Sequence, residues 1–229
     1  MKYFKYVILI SLSIFMIENS IAQDWPNLAR FQKENATLVN PEEGNHRIVF
    51  MGNSITELWS ITSPDFFSNT SFVNRGISGQ TTPQMLIRFR QDVIDLNPSV
   101  VVILAGINDI AENTGPITID AIAGNIISMS ELAKANNIKV ILCSVLPASE
   151  FHWSPEIKPA EKVIQLNALL ESYAQKNKIV YVDYFKKMVN DSNGLKKSLG
   201  DDGVHPNKAG YQIMEPLIEE GIAKILLQH

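Results

Sequence analysis

Short apolar runs alternate with longer amphipathic stretches along the chain from about residue 46 onward. The apolar runs are rich in β-branched residues and predict five strands, at residues 47–51, 72–74, 100–104, 140–144 and 179–182. The run at 100–104 has no polar position, which is typical of a strand buried on both faces. The longer stretches predict helices over residues 82–96, 117–135, 159–175 and 208–227. The polar segment at 23–45 predicts a short helix lying over the domain.

The alternation of strands and helices predicts an α/β fold built on a five-stranded parallel sheet. Because crossovers between parallel strands are right-handed, helices cover both faces and form a three-layer α/β/α sandwich. A length of 229 residues fits one such domain, which we assign to residues 23–229. Binding sites in these sheets lie beyond the carboxyl ends of the strands. The residues just after each apolar run are therefore the candidates for chemistry.

The first 22 residues have the pattern of an export signal. Two lysines give a basic start, residues 7–17 are apolar, and Ser20 and Ala22 supply the small side chains of a cleavage site. This pattern predicts a signal peptide over residues 1–22 and a secreted or periplasmic protein. The alternative is an uncleaved anchor, but the apolar run is shorter than the ~20 residues of a spanning helix. No cysteine follows that would carry a lipid, so we expect no stable membrane anchor.

Charge and cysteine content narrow the function classes. The chain has 20 basic and 24 acidic residues, a net charge of −4, and no basic cluster, so a nucleic-acid partner is not expected. Its single cysteine, Cys143, permits neither an internal disulfide nor a cysteine-based zinc site. Cys143 ends an apolar strand and is expected to be a buried, inert thiol.

Small and polar residues follow the first two strands. Ser54 comes after the first strand, where its hydroxyl either caps the next helix or acts as a nucleophile near the positive end of that helix. Gly76 and Gly79 follow the second strand. They either form a simple turn, or Gly79 brings its main-chain N–H close to a ligand that a side chain would exclude.

An amide and an Asp–His pair follow later strands. Asn108 comes after the third strand, where its amide either caps a loop or donates to a developing negative charge. Asp109 is expected to order this loop by hydrogen bonds to main-chain N–H groups. Asp202 lies three residues before His205, so its carboxylate can accept from Nδ1 and leave Nε2 free as a base. A metal site would need more ligands than these two residues and Asp201 supply, and we expect no metal or cofactor.

Together these residues carry a resemblance to a known family. Ser54, Gly79, Asn108 and His205 match, in order, the four blocks of the SGNH (GDSL-like) hydrolases. The chain departs from the family at Asn53, because the residue before the serine is usually Asp. This change leaves the serine in place but alters the hydrogen bonding of its loop.

The resemblance implies both a topology and a set of roles. It implies a flavodoxin-like strand order of 2-1-3-4-5. It also implies that Ser54 is the nucleophile, His205 its base and Asp202 the group that orients the imidazole. The oxyanion would be held by the main-chain N–H groups of Ser54 and Gly79 and by the side-chain amide of Asn108.

The residues around the motifs narrow the resemblance to one branch of the family. With Trp59 after the serine and Arg75 before the glycine block, the chain is similar to the branch that contains platelet-activating-factor acetylhydrolase catalytic subunits and bacterial carbohydrate esterases. We therefore expect a secreted serine esterase that acts on short-chain acyl esters, chiefly acetyl esters of carbohydrate. Trp59 and Trp153 are candidates for an aromatic platform under a sugar, with ordinary packing as the alternative. The other functions considered are a lysophospholipase or acyl-thioesterase and, outside the enzymes, a catalytically inactive glycan-binding module.

Overall fold

The computed structural model describes residues 24–41 and 44–227. The expected signal peptide and its cleavage point lie outside these residues. Within them, five parallel strands form one sheet in the order β2-β1-β3-β4-β5. The strands are β1 (Ile48–Gly52), β2 (Phe72–Gly76), β3 (Val100–Leu104), β4 (Lys139–Cys143) and β5 (Val180–Val182). The predicted parallel sheet and its 2-1-3-4-5 order are confirmed.

Helices connect the strands and cover both faces of the sheet. They are α1 (Gln32–Thr37), α2 (Ser54–Thr62), α3 (Thr82–Asp92), α4 (Ile107–Ile110), α5 (Ile119–Ala135), α6 (Pro159–Asn177), α7 (Phe185–Met188) and α8 (Lys208–Leu226). Helices α3, α5 and α6 pack side by side, whereas α2 and α7 pack against α8. The two groups are the outer layers of the sandwich. Among the described residues, no helix has the length and apolar content that crossing a membrane requires.

The centre of the sheet holds the core. Every residue of β1 and β3 is buried, as the uninterrupted apolar run at 100–104 predicted. The helix predicted over 82–96 is shorter in the structure. It ends at Asp92, and a separate 3₁₀ turn over Ile94–Leu96 buries both apolar ends of that turn. An amphipathic pattern alone does not distinguish a tighter last turn from a continued helix.

Gly76 lets the start of α2 approach the carboxyl end of the sheet closely. A Cβ atom at this position would lie 2.2 Å from the main-chain nitrogen of Glu57, on α2. Real side chains do not tolerate such a separation, so only glycine allows this packing. Helix α2 therefore begins directly at the edge of the sheet where β1 and β2 end.

The short helix predicted within residues 23–45 is present as α1, and it lies against α3. Its residue Asn35 donates hydrogen bonds to the main-chain oxygen of Gln91 (3.1 Å) and to the carboxylate of Asp92 (2.8 Å).

Candidate active site

Ser54 is the first residue of α2, one residue beyond the turn that ends β1. The preceding residue, Asn53, is buried, and its side-chain oxygen accepts a hydrogen bond from the main-chain N–H of Ile55 (3.0 Å). The neutral amide thus caps the helix through one oxygen, which is what a carboxylate would supply at this position. The departure from the family residue at Asn53 therefore preserves the cap that orders the serine turn.

His205 lies in the loop before α8, and its ring points at Ser54. Ser54 Oγ and His205 Nε2 are 2.8 Å apart. The loop is fixed at both ends, because Gly200 pairs with Pro206 in an isolated bridge and Asn207 caps α8. Two side chains 151 positions apart in the sequence are therefore held within hydrogen-bond distance.

Asp202 holds the other side of the imidazole. Its Oδ2 atom lies 2.6 Å from His205 Nδ1, and its Oδ1 atom accepts from the main-chain N–H groups of Val204 (2.9 Å) and His205 (2.7 Å). Partial burial acts to raise the pKa of Asp202. The hydrogen bonds from His205 and Val204 outweigh it, so the pKa lies below its usual value. The carboxylate is therefore ionised where it faces the ring, an arrangement that fixes the tautomer and stabilises an imidazolium.

Two further groups that the sequence singled out follow the next two strands: Gly79 lies in the loop after β2, and Asn108 lies in α4, the short helix after β3. Gly79 has a φ of +77°, a conformation that favours glycine, and its carbonyl oxygen accepts from Asn113 Nδ2 (3.2 Å). Among the described residues, the Gly79 N–H has no protein acceptor. The side chain of Asn108 is almost fully buried, and its Nδ2 donates one hydrogen bond to the main-chain oxygen of Gln80 (3.0 Å). Its second N–H is the one that a ligand would use.

Asp109 orders the structure beneath these loops, as the sequence predicted. Both carboxylate oxygens lie 3.0 Å from the main-chain nitrogen of Thr82, and Oδ1 also accepts from the Thr82 hydroxyl (2.6 Å). Burial raises the pKa of Asp109 to about 6, and the bonds from Thr82 offset only part of that rise. The residue therefore joins the loop after β3 to the first turn of α3.

Trp59 is not available to a substrate, and the expectation that it forms part of a sugar platform is wrong. The side chain is 1% exposed, and its ring stacks between those of Phe66 and Tyr211 at centroid distances of 5.1 and 5.3 Å. Its indole N–H donates to Glu215 Oε1 (3.2 Å). The aromatic side chains around it form a cluster between α2 and α8, so burial decides the orientation of Trp59.

Trp153 reaches the surface. It is 41% exposed, and its inner face stacks on the buried ring of Phe151 at 5.1 Å, with the edge of His152 at 4.7 Å. His152 also lines a cavity of about 680 Å³ that extends to Asp202 and is bordered by Lys197. The polar lining of this cavity and a neighbouring rigid aromatic ring lie on the Asp202 side of the site.

Two polar residues that the sequence did not single out, Glu57 and Gln80, bond to or within the loop that contains Gly79. Glu57 accepts from the main-chain N–H of Ser78 (2.8 Å) and from its hydroxyl. Gln80 is buried, and its side chain is bonded at both ends. Glu57 and Gln80 were not singled out, because Glu and Gln side chains are usually solvent-exposed and a local pattern does not show their burial or their partners.

The described part of the chain contains no cluster of three or more His, Cys, Asp and Glu side chains arranged to hold a metal ion. Asp201 instead pairs weakly with Asn207 Nδ2 (3.5 Å). Cys143 is buried as predicted, and burial raises the pKa of its thiol to about 12.

Comparison with known proteins gives the family. A family model described as the GDSL-like lipase/acylhydrolase family matches residues 50–213. The chain belongs to this family. It is accordingly a carboxylic ester hydrolase, and the expected family resemblance is confirmed.

Two solved structures from Bacteroides are similar over most of this GDSL-like chain. A candidate acylhydrolase from Bacteroides fragilis NCTC 9343 is 53% identical, covers 88% of this chain and 98% of its own, and superposes with a TM-score of 0.87. A GDSL-like lipase from Bacteroides thetaiotaomicron VPI-5482 is 54% identical over 87% of this chain and 98% of its own, with a TM-score of 0.85.

More distant structures share the fold alone. A candidate platelet-activating-factor protein from Streptococcus pneumoniae is 22% identical over 92% of this chain and 98% of its own, with a TM-score of 0.72. An acetylxylan esterase from Geobacillus stearothermophilus is 20% identical over 81% of this chain and 96% of its own, with a TM-score of 0.60.

A curated relative from Bacillus subtilis (strain 168) matches a shorter region. The uncharacterized lipoprotein YqeF is 33% identical over 85 residues, which are 36% of this chain. This GDSL-like chain therefore spans about a third (35%) of that relative's length.

Proposed function

We propose that the chain hydrolyses short-chain acyl esters, chiefly acetyl esters of carbohydrate. In this proposal Ser54 is the nucleophile, His205 accepts its proton, and Asp202 orients the imidazole and stabilises the imidazolium. The hydrogen-bonded series from Ser54 Oγ through His205 to Asp202 carries this proposal. A hydroxyl, an imidazole and a carboxylate in this order form the constellation that activates a serine for acyl transfer.

The acylation step follows from these contacts. Ser54 Oγ attacks the ester carbonyl carbon while His205 Nε2 accepts the hydroxyl proton, and Asp202 stabilises the imidazolium that forms. The carbonyl oxygen becomes an oxyanion. When the tetrahedral intermediate breaks down, His205 gives its proton to the departing alkoxide oxygen, and the alcohol leaves an acyl group bonded to Ser54.

Deacylation repeats the sequence with water. His205 Nε2 accepts a proton from a water molecule whose oxygen attacks the acyl carbon. The second tetrahedral intermediate then breaks the bond to Ser54 Oγ, which recovers the proton from His205. The carboxylic acid leaves, and the serine is restored without any cofactor taking part.

The oxyanion in both steps would bind three donors: the main-chain N–H of Ser54, the main-chain N–H of Gly79 and the side-chain amide of Asn108. The first lies at a helix N-terminus, where N–H groups are free and the dipole favours negative charge. Among the described residues, the Gly79 N–H and one N–H of the Asn108 amide have no protein acceptor, so both can donate to a ligand. Loss of one such donor costs about 10²–10³ in rate in comparable enzymes.

Two observations favour a carbohydrate as the alcohol part. The cavity beside Asp202 is lined by His152, Lys197 and other polar groups, which suit hydroxyl-rich ligands. Trp153 presents an exposed face stiffened by Phe151, and such a face can stack on a sugar ring. The acetylxylan esterase that shares the fold acts on an ester of this class.

We also propose that the protein is exported. The basic and apolar pattern of residues 1–22 supports this location, and the Bacillus subtilis relative is named a lipoprotein. The mature chain would then meet extracellular or periplasmic glycans.

The decisive experiment compares the wild type with Ser54→Ala on 4-nitrophenyl acetate, with serine-directed phosphonate labelling followed by mass spectrometry. We expect Ser54→Ala to lose turnover and labelling while keeping its melting temperature. Ser60→Ala is the matched control, since Ser60 lies on the same helix and its hydroxyl bonds to a main-chain oxygen. Full activity in Ser54→Ala would refute the mechanism. An inactive wild type that binds glycan would indicate the binding module instead.

A substrate panel tests the specificity. Acetylated polysaccharides and 4-nitrophenyl esters from C2 to C12 are compared, and we expect acetyl esters to be preferred. Trp153→Ala should raise KM for the acetylated polysaccharide and leave 4-nitrophenyl acetate unaffected. A preference for long acyl chains would favour the lysophospholipase or thioesterase alternative.

A further inference from the structure

Gln80 is a buried residue directly after Gly79, and its main-chain oxygen and both polar atoms of its side chain form hydrogen bonds. Its main-chain oxygen accepts from Asn108 Nδ2 (3.0 Å). Its Oε1 accepts from Arg88 Nε (2.6 Å), and its Nε2 donates to the main-chain oxygen of Pro26 (2.7 Å). With only 3% of the residue exposed, water does not substitute for these partners. The Gln80 side chain is therefore held at both of its polar atoms, directly beside the carbonyl that Asn108 contacts.

The first anchor, Arg88, is fixed to the sheet itself. Its side chain is completely buried on α3 and pairs with the equally buried Asp92 (3.0 Å). Its Nη2 donates to the main-chain oxygens of Gly52 (3.1 Å) and Arg75 (2.9 Å), in the last residues of β1 and β2. A guanidinium bonded to two strand ends and a carboxylate is a rigid reference point. It relates Gln80 directly to the turn that carries Ser54.

The second anchor lies in residues 24–37, which we call the N-terminal strap. Pro26 is buried and supplies the carbonyl that Gln80 Nε2 contacts. Two glutamines of α3 bind the strap at residues that flank Pro26 in the sequence, since Gln84 Nε2 donates to Trp25 O (2.7 Å) and Gln91 Nε2 donates to Leu28 O (2.6 Å). The strap is therefore bonded to α3 before and after the Pro26 contact.

From these contacts we propose that Gln80 is a positioning residue for Asn108, with Arg88 and the Pro26 carbonyl as its anchors. The amide of Asn108 has two N–H bonds in one plane, so the bond to Gln80 O fixes the direction of the other. An oxyanion donor contributes fully only when it is already aimed at the charge that develops. This inference rests on the proposed function, because it assigns Gln80 a role through the Asn108 donor.

The first test is Gln80→Met, which keeps the size of the side chain and removes both of its hydrogen bonds. Arg88 keeps its bonds to Asp92 and the two strand carbonyls, so the buried charge stays paired. We expect kcat on 4-nitrophenyl acetate to fall about 10- to 100-fold, less than the 10²–10³ for loss of a whole donor. KM should stay within about twofold, because the donor acts mainly in the transition state. Gln165→Met is the control, since Gln165 is exposed on α6 and its side chain donates to Glu161 of the same helix (3.2 Å), away from the strap and the Gly79 loop.

The second test is a double-mutant cycle with Asn108→Ala. If Gln80 acts through Asn108, Gln80→Met costs less than about threefold in kcat once the amide is absent. If Gln80→Met instead damages the site generally, it should lower kcat by the same factor in the Asn108→Ala background as in the wild type. Gln80→Glu is run through the same cycle, because it keeps an acceptor for Arg88 and replaces the donor to Pro26 with a carboxylate oxygen, whose charge lies beside the Arg88 guanidinium. It decides the question if Gln80→Met does not fold.

The possible outcomes separate the two proposals. A large kcat effect that disappears in the Asn108→Ala background supports the inference. An equal cost in both backgrounds, an effect on KM alone or unchanged kinetics would overturn it while leaving a Ser54-dependent activity intact. Full activity in Ser54→Ala would refute the proposed function, and this inference with it.

Discussion

Asp202 contacts His205 through both of its carboxylate oxygens. Oδ2 lies 2.6 Å from the ring Nδ1, and Oδ1 accepts from the main-chain N–H of the same histidine at 2.7 Å. One carboxylate therefore fixes the backbone that carries the imidazole and the orientation of the ring itself. The spacing of three residues is what makes both contacts possible in one loop.

These two contacts predict that Asp202→Asn and Asp202→Ala fail in different ways. The asparagine keeps Oδ1 for the main-chain bonds, but its NH₂ group donates to Nδ1, so the ring proton must lie on Nε2. With that proton in place, Nε2 cannot accept the hydroxyl proton of Ser54. We expect kcat to fall by about 10³–10⁴, in the range known for such a change, with a nearly unchanged melting temperature. Asp202→Ala should lower both activity and melting temperature. Wild-type turnover by Asp202→Asn would contradict the role of the carboxylate.

The cap formed by Asn53 predicts a stability effect at the head of α2. Asn53→Ala removes the acceptor for the Ile55 N–H, and we expect the free energy of unfolding to drop by about 1 kcal/mol and kcat to fall because Ser54 follows directly. Asn53→Asp should keep the cap and the fold. Thr118→Ala is the control, since Thr118 caps α5 in the same way. Urea unfolding and kinetics check this, and an unaffected Asn53→Ala would show that the cap is dispensable.

Because Trp59 is buried, we predict that removing its side chain lowers the free energy of unfolding. Trp59→Ala opens a cavity in the aromatic cluster between α2 and α8, and we expect a loss of about 3–5 kcal/mol in the free energy of unfolding. Trp153→Ala, at an exposed position, should change it by less than about 0.5 kcal/mol. Chemical denaturation measures both. A neutral Trp59→Ala with a raised KM for sugar esters would restore the platform interpretation.

The raised pKa of Asp109 predicts how stability depends on pH. Its pKa is about 6 in the fold against 3.8 as the ordinary value, so the folded chain binds this proton more tightly than the unfolded chain. The contribution of Asp109 is therefore fully present below about pH 4 and is lost as pH rises through about 6, a change of at most about 3 kcal/mol.

Urea unfolding between pH 4 and 7 tests this dependence. Asp109→Asn should flatten the decline in the free energy of unfolding across that range, while Asp120→Asn, at an exposed position on α5, should leave it in place. Parallel curves for the wild type and Asp109→Asn would contradict the assignment.

Several parts of the architecture were readable because each depends on local pattern. The unbroken apolar run at 100–104 is typical of a strand buried on both faces, and it is the central strand β3. The end of α3 was not readable, since the tertiary packing of Ile94 and Leu96 replaces a last helical turn. Trp59 was misjudged for a similar reason. Phe66 lies only seven residues further along the chain, but Tyr211 comes from α8, and the packing that encloses the Trp59 ring between them depends on the fold.

The order of strands and helices, and hence the parallel sheet, follows from the hydrophobic pattern of the chain. Ser54, Asn108 and His205 were singled out because residues that follow parallel strands meet at one edge of the sheet. The 2.8 Å separation of Ser54 Oγ and His205 Nε2, and the hydrogen bonds that link Asn108 to Gln80 and Gln80 to Arg88, depend on the packed fold. The two kinds of feature differ in how far apart in the sequence the interacting residues are. Hydrophobic periodicity is set by neighbours a few residues away, whereas hydrogen-bond geometry between distant segments exists only after the core has packed.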